Sequence, residues 1–351
     1  MEIVDVSKEQ QPPQTPLVAG PRRRRPKLRI TKSKKMLAGL VILGFFVVLG
    51  IIGPWVAPYD PNALGNLTGP GGTQSPGGHH LLGQTTIGGD IFSQLLAGAR
   101  PTIEVAFLSG VIATALAIVI GITAGYMGGL VDEVLSLTAN VFLVLPALPL
   151  LIAIGAFLGP DRAGNPWVVS LIIAATGWAW GARVMRAQAM SMRNRDFVEA
   201  ARIGGESTAR IILAEIMPNL SAVIASSFLF TTIYAIGTYV GLGFLNVVSA
   251  GPHYNWGTML FDATSSSAVE AGSWWWYVPP GLAIAILGMS LALINFGIDE
   301  YINPRLRIAK PAKGTKVKLR PQLGFTPVVR KRPVAGGAHS GGSRVQLEEA
   351  P

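Results

Sequence analysis

The sequence predicts an all-α polytopic membrane protein with six transmembrane helices, and three observations carry the prediction. Half of the 351 residues are hydrophobic and only 14% are charged, whereas a soluble domain carries about a quarter charged residues. The apolar residues gather into six long blocks rather than being spread evenly. The basic residues fall on alternate sides of those blocks, as they do when they orient spans in a membrane.

Crossing a hydrocarbon core about 30 Å thick takes roughly 20 residues at about 1.5 Å of rise each. The blocks run from Met36 to Ala57, Ile103 to Met127, Val134 to Leu158, Trp167 to Val184, Leu220 to Phe244 and Tyr277 to Ile298. Lipid offers no hydrogen bonds, so each block must satisfy its own amides and is a helix. The first block is longer than a signal-peptide apolar region and no small-x-small cleavage site follows it, so it reads as a retained anchor. The expected organisation is a basic N-terminal tail (1–35), the first span (36–57), a loop (58–102), a five-helix core (103–300) and a basic C-terminal tail (301–351).

Lys and Arg decide the orientation. Residues 1–35 hold ten of them, segment 183–218 six and the chain after 300 eleven, while loops 58–102, 159–166 and 245–276 hold two between them. Basic residues favour the cytoplasmic flank. Both termini and segment 183–218 are therefore expected inside. The net charge of +10 is spent on this orientation, with Arg22–Arg25 facing lipid headgroups. It is not read as a nucleic-acid surface.

Several chemistries have no residues to support them. No G-x-x-x-x-G-K-[ST] run exists to cradle ATP phosphates, and there are no cysteines. His79 and His80 have no carboxylate close in sequence before Asp90 and read as a solvated loop rather than a metal site. Glu104 in the second block reads as snorkelling or pairing with Arg100. A proton-coupled carrier or a membrane enzyme would place more ionisable groups at depth.

The informative polar segment is residues 194–219, NRDFVEAARIGGESTARIILAEIMPN. Asp196 with Glu199 three residues on reads as an N-cap and capping box. Gly204–Gly205 should end that helix, and Ser207 should cap a second one running toward Pro218. The loop thus reads as helix, glycine turn, helix across the inner face.

Within the spans, Gly121, Gly125 and Gly129 share one face and Gly237 and Gly241 repeat the spacing, which suits close helix packing inside the subunit. Pro146 and Pro149 should kink the third helix, and freed carbonyls there could face a polar pathway together with Asn140. Trp256 and Trp274–Trp276 read as an interfacial aromatic belt, with a stacking surface for sugar rings as the sharper alternative.

Glu199-Ala200-Ala201, three residues, Gly205, then Ile216-Met217-Pro218 resembles the EAA loop of permease subunits of bacterial binding-protein-dependent ABC importers. That pattern reads E-A-A-x3-G-x9-I-x-L-P. Here Glu215 replaces its Ile and Met217 its Leu. Further motifs narrow the resemblance to the C-type subunits of dipeptide, oligopeptide and nickel systems. Ala57-Pro58-Tyr59-Asp60-Pro61 is similar to their A-P-Y-D-P. His80-Leu81-Leu82-Gly83 through Asp90-Ile91-Phe92-Ser93 and Gly98-Ala99-Arg100 follows their H-x-L-G … D-x-x-S … G-A-R, and Asn303-Pro304-Arg305-Leu306-Arg307 their closing D-P-R-L-R. Departures are Gln84-Thr85 for T-D, Gly89 for Arg and Asn303 for Asp.

The resemblance implies a non-catalytic permease in a bacterial cell membrane, forming half of a pathway with a second permease. Two ATPase subunits would bind the ATP, so this chain itself would hold no cofactor and no metal. A solute-binding protein would deliver the cargo. The family assigns ATPase coupling to the residues matching Glu199, Ala200, Ala201, Gly205 and Pro218. Peptides are the expected cargo, with β-linked oligosaccharides or nickel as alternatives. A secondary carrier or channel is the rival from another class.

Overall fold

In a computed structural model, residues 34–63, 75–159, 162, 164–248 and 254–302 are described. The expected terminal tails, with Arg22–Arg25 and the Asn303–Arg307 motif, lie almost wholly outside these residues. Among the described residues the chain is helical, with one isolated bridge between Gln84 and Asp90.

Five helices are long and apolar enough to cross a membrane: α1 (Lys34–Val56), α2 (Ile91–Met127), α5 (Pro166–Met192), α9 (Ser221–Phe244) and α11 (Trp274–Ile302). A sixth span is broken. It consists of α3 (Gly129–Val144) and α4 (Ala147–Leu158), bent by 83° where they meet. Between α5 and α9 lie α6 (Asp196–Ile203), α7 (Thr208–Arg210), a π-helical segment (Ile211–Ile216) and α8 (Met217–Asn219). A short α10 (Trp256–Ser265) precedes α11.

The second helix begins at Ile91, twelve residues before its apolar block. Asp90 caps it, accepting from Ser93 N at 2.8 Å and from Ser93 Oγ at 2.6 Å. Pro101 lies within it and the helix continues through. Its 37 residues span about 56 Å, more than a hydrocarbon core, so one end stands out of the apolar layer.

The third block was expected to kink; it breaks. Pro146 has no N–H to give back to the preceding turn, and Leu145 before it is extended, at φ −63° and ψ 129°. Pro146 becomes the N-cap of α4, and Pro149 takes its third position, where an N–H would lack a helical partner anyway.

α2 and α5 form the central pair. α9 packs on both, α1 lies across α2 and α11, and α3 closes against α2 and α5. Lipid removes the hydrophobic drive between helices, so close backbone approach must supply the dispersion contact. Gly121 and Gly125 on α2 face the backbone of Ala182 and Arg186 on α5. Gly39 of α1 faces Ser290 and Ile294, while Gly53 faces Leu96. The expected stripe stops there. Gly129 starts α3 at φ +56°, and Gly237 has nothing within 4 Å of where a Cβ would stand.

Two buried hydroxyls in the spans turn back on their own helices, Thr102 to Gly98 O at 2.7 Å and Thr238 to Tyr234 O at 2.8 Å. That is the low-cost way to hide a polar group where water is absent.

The aromatic belt holds only in part. Trp274 is exposed, but Trp276 is 2% exposed and Trp256 fully buried. Trp256 donates from Nε1 to Leu95 O at 3.0 Å and meets Phe46 edge-on. These two rings are core that locks α1, α2, α10 and α11 together. No stacking surface for sugars is left at them.

Candidate functional site

The hairpin between α5 and α9 is built as its sequence suggests, with one correction. Arg195, not Asp196, is the N-cap of α6, and it makes no side-chain cap. Asp196 and Glu199 instead stand in the first turn, where negative charge suits the helix dipole. The helix ends at Gly204–Gly205, with Gly205 at φ +78°. Ser207 then caps α7, accepting from Arg210 N at 3.4 Å, and Arg210 pairs with Glu206 at 2.8 Å.

One face of the hairpin is anchored. Val198, Ile211, Ile216 and Leu220 are buried with Ile122 of α2 and with Met185 and Ala189 of α5. The opposite face is open. Phe197, Ala200 and Ile203 repeat at three-residue spacing and are all exposed, Ile203 at 81%, with Glu199 beside them. Ala201 is half-buried against the anchor, while Gly205 and Pro218 are exposed. Pro218 stands in the first turn of α8, one residue past Met217, where an N–H would lack a helical partner anyway. The structure thus brings the five coupling candidates onto one hairpin.

A second polar constellation lies between α2, α3 and α5, where sequence reasoning picked out only Asn140. A cavity of 280 Å³ is bordered by Gly121, Ser136, Asn140, Arg183 and Arg186 among others. Arg186 binds Asp132 in a two-pronged contact, Nε to Oδ1 and Nη2 to Oδ2, the second at 2.7 Å. Ser136 adds a hydroxyl to Asp132 at 3.0 Å. Arg183 donates to Asn140 Oδ1 at 2.7 Å. Pro146 and Pro149 do not border this cavity. The signal that could have found Arg183 and Arg186 was their three-residue spacing beside a span, which instead served to set orientation.

A third cluster joins two motifs far apart in sequence. Tyr59 donates its N–H to Ser93 Oγ at 3.2 Å and its hydroxyl to His79 O at 2.7 Å, and its ring packs on His80 at 4.6 Å. His80 Nδ1 meets Asp90 Oδ1 at 2.8 Å. Far from being merely solvated, His80 is 16% exposed and Asp90 2%. The A-P-Y-D-P and H-L-L-G segments therefore clasp each other over the start of α2. The Arg100–Glu104 pair is not formed among the described residues.

A bundle of five long apolar helices and one broken span, with a helical hairpin between α5 and α9, defines a polytopic membrane protein. The chain belongs to the binding-protein-dependent transport system inner membrane component family, which it matches over residues 117–308. Residues 28–81 match the N-terminal TM domain of oligopeptide transport permease C. A Brucella suis permease named for a peptide transport system is 32% identical over 80% of this chain and 91% of its own length. The di/tripeptide transport system permease of Pseudomonas aeruginosa is 31% identical over 79% of this chain and 90% of its own. The nickel transport system permease of Escherichia coli is 30% identical over 76% and 93%. The protein is thus a multi-pass permease of the inner membrane, of the ABC importer type.

Proposed function

We propose that this chain forms half of the translocation pathway of an ATP-driven peptide importer, as the partner of a second, similar permease. Both termini and the 194–219 hairpin lie on the cytoplasmic side, in keeping with the distribution of Lys and Arg. Two ATPase subunits dock there and a solute-binding protein delivers cargo at the opposite face. The observation that carries the reading is the uncovered row Phe197, Ala200 and Ile203 beside Glu199, on a hairpin whose other face is fixed to α2 and α5. An apolar row backed by a rigid anchor suits a surface pressed on by another protein.

The subunit makes and breaks no bonds. ATP-driven closure of the ATPases displaces the hairpin, and α5 carries the movement into the membrane because Met185 and Ala189 pack on the hairpin while Arg183 and Arg186 border the cavity. The helices then move as rigid bodies between inward-open and outward-open states. Asn140 and the Pro146–Pro149 break belong to the moving wall of the pathway.

Relatives named for peptide and di/tripeptide transport support peptides as cargo. A relative named for nickel transport makes nickel the second reading, and β-linked oligosaccharides are the third. The test is uptake into proteoliposomes holding both permeases, the ATPases and the binding protein. Import of a labelled tripeptide should require ATP and persist when the proton gradient is collapsed. Import driven by an ion gradient without the ATPases would make the chain a secondary carrier and sink the reading.

A further inference from the structure

Two arginines on one face of α5 meet opposite fates. Arg186 is neutralised by Asp132, which grips it with both carboxylate oxygens. Among the described residues Arg183, one turn along, is held only by the amide oxygen of Asn140 at 2.7 Å, and its side chain is exposed at the cavity. An amide oxygen aims a guanidinium without cancelling its charge, and the planar fork keeps further N–H groups for a second acceptor.

Arg183 stands at the inner end of the fourth apolar block, in the segment whose basic residues set the orientation. Among the described residues no carboxylate pairs with it. A guanidinium left in that state beside a cavity can take an anion that reaches the cavity. The small residues Gly121, Ala124, Ala139 and Ala182 leave open space beside it rather than covering it.

We propose that Arg183, aimed by Asn140, takes an oxyanion of the passing cargo, the terminal carboxylate of a peptide. The assignment rests on the peptide-import reading and adds to it a named contact at the cavity between α2, α3 and α5. Arg186 and Asp132 form the fixed strut that keeps α3 and α5 in register, so that the charge of Arg183 stays available. Guanidinium and carboxylate pair in parallel, two N–H groups on two oxygens.

The experiment is ATP-dependent uptake of trialanine by the full complex in proteoliposomes, with wild type, Arg183→Lys, Arg183→Gln and Asn140→Asp compared. Arg183→Gln should lower uptake about tenfold or more, the usual effect of losing a charged hydrogen bond, while Arg183→Lys, which keeps the charge but not the two-pronged pairing, should fall between it and wild type. Asn140→Asp is the decisive variant, since it places a carboxylate beside Arg183 and competes with the cargo. It should be as impaired as Arg183→Gln, although the helix contact is strengthened. Wild-type uptake by Asn140→Asp would show that the pair only braces the helices and would overturn the proposal. The phosphate of an anionic lipid is the other source of an oxyanion. If the defects disappear in vesicles without phosphatidylglycerol, Arg183 binds lipid and the cargo assignment fails. If wild type imports no trialanine under ATP, the peptide reading falls too, whereas normal wild-type uptake with indifferent variants removes only the role of Arg183.

Discussion

The α-carbon of Gly121 on α2 faces the carbonyl oxygen of Ala182 on α5 with no room for a methyl group between them. Gly125 repeats the contact one turn on, against Arg186 O. This close approach of two backbones lies directly beside the cavity that Arg183 borders.

Replacing Gly121 by Val should therefore separate α2 from α5 and cost about 1–3 kcal/mol or more by overpacking. Gly237→Ala, on a helix face with nothing nearby, should leave the isolated subunit as stable as wild type, since Ala is the better helix former. Thermal unfolding in detergent, followed by loss of the monodisperse peak, compares the two. Equal behaviour of both variants would contradict the packing described.

Gly205 turns the hairpin at φ +78°, a conformation that costs a residue with a Cβ roughly 1–2 kcal/mol. Gly205→Val should redirect the segment after α6 while the buried anchor of Val198, Ile211 and Ile216 holds the fold. The expected outcome is normal membrane insertion with ATP hydrolysis no longer linked to uptake. Vesicles that import at the wild-type rate after this change would refute the coupling role.

Asp262 on α10 is half-buried, and burial raises its carboxyl above the ordinary value of 3.8. The sign follows from linkage. A raised carboxyl contributes stability that is complete below 3.8 and is lost as pH rises through the folded value. Asp262→Asn cannot charge and escapes that loss. Its unfolding midpoint should match wild type in acid and exceed it increasingly as the pH is raised. A gap that does not change with pH would show that the carboxyl ionises without penalty.

Trp256 is fully buried where α1, α2 and α11 meet. Trp256→Ala should cost about 3–5 kcal/mol. Trp256→Phe should lose less, chiefly the 3.0 Å bond to Leu95 O, about 0.5–1.5 kcal/mol. The pair of unfolding midpoints measures both. A tolerated alanine would mean that the ring sits at the lipid interface and not in the core.

Features set by local chemistry are legible from residue order alone. Apolar length gives the spans, because lipid admits no unpaired backbone. The glycine pair and Ser207 give the hairpin its turn and its second cap, because each acts within a few residues. Ala57–Pro61, His80–Gly83 and the 194–219 segment gave the resemblance that the family match bears out. The tertiary structure alone decided what depends on partners distant in the chain. Asp90 starts α2 twelve residues early, bonded to Ser93 and to His80, with Tyr59 in turn bonded to Ser93. Trp256 and Trp276 leave the expected belt for the core because α1 and α2 cover them. Arg183 and Arg186 are alike on paper, and only the positions of Asp132 and Asn140 on α3 pair one with a carboxylate and the other with an amide oxygen. Spacing along one chain fixes a helix and its caps, but the sign and availability of a charge are set by whatever the fold places across from it.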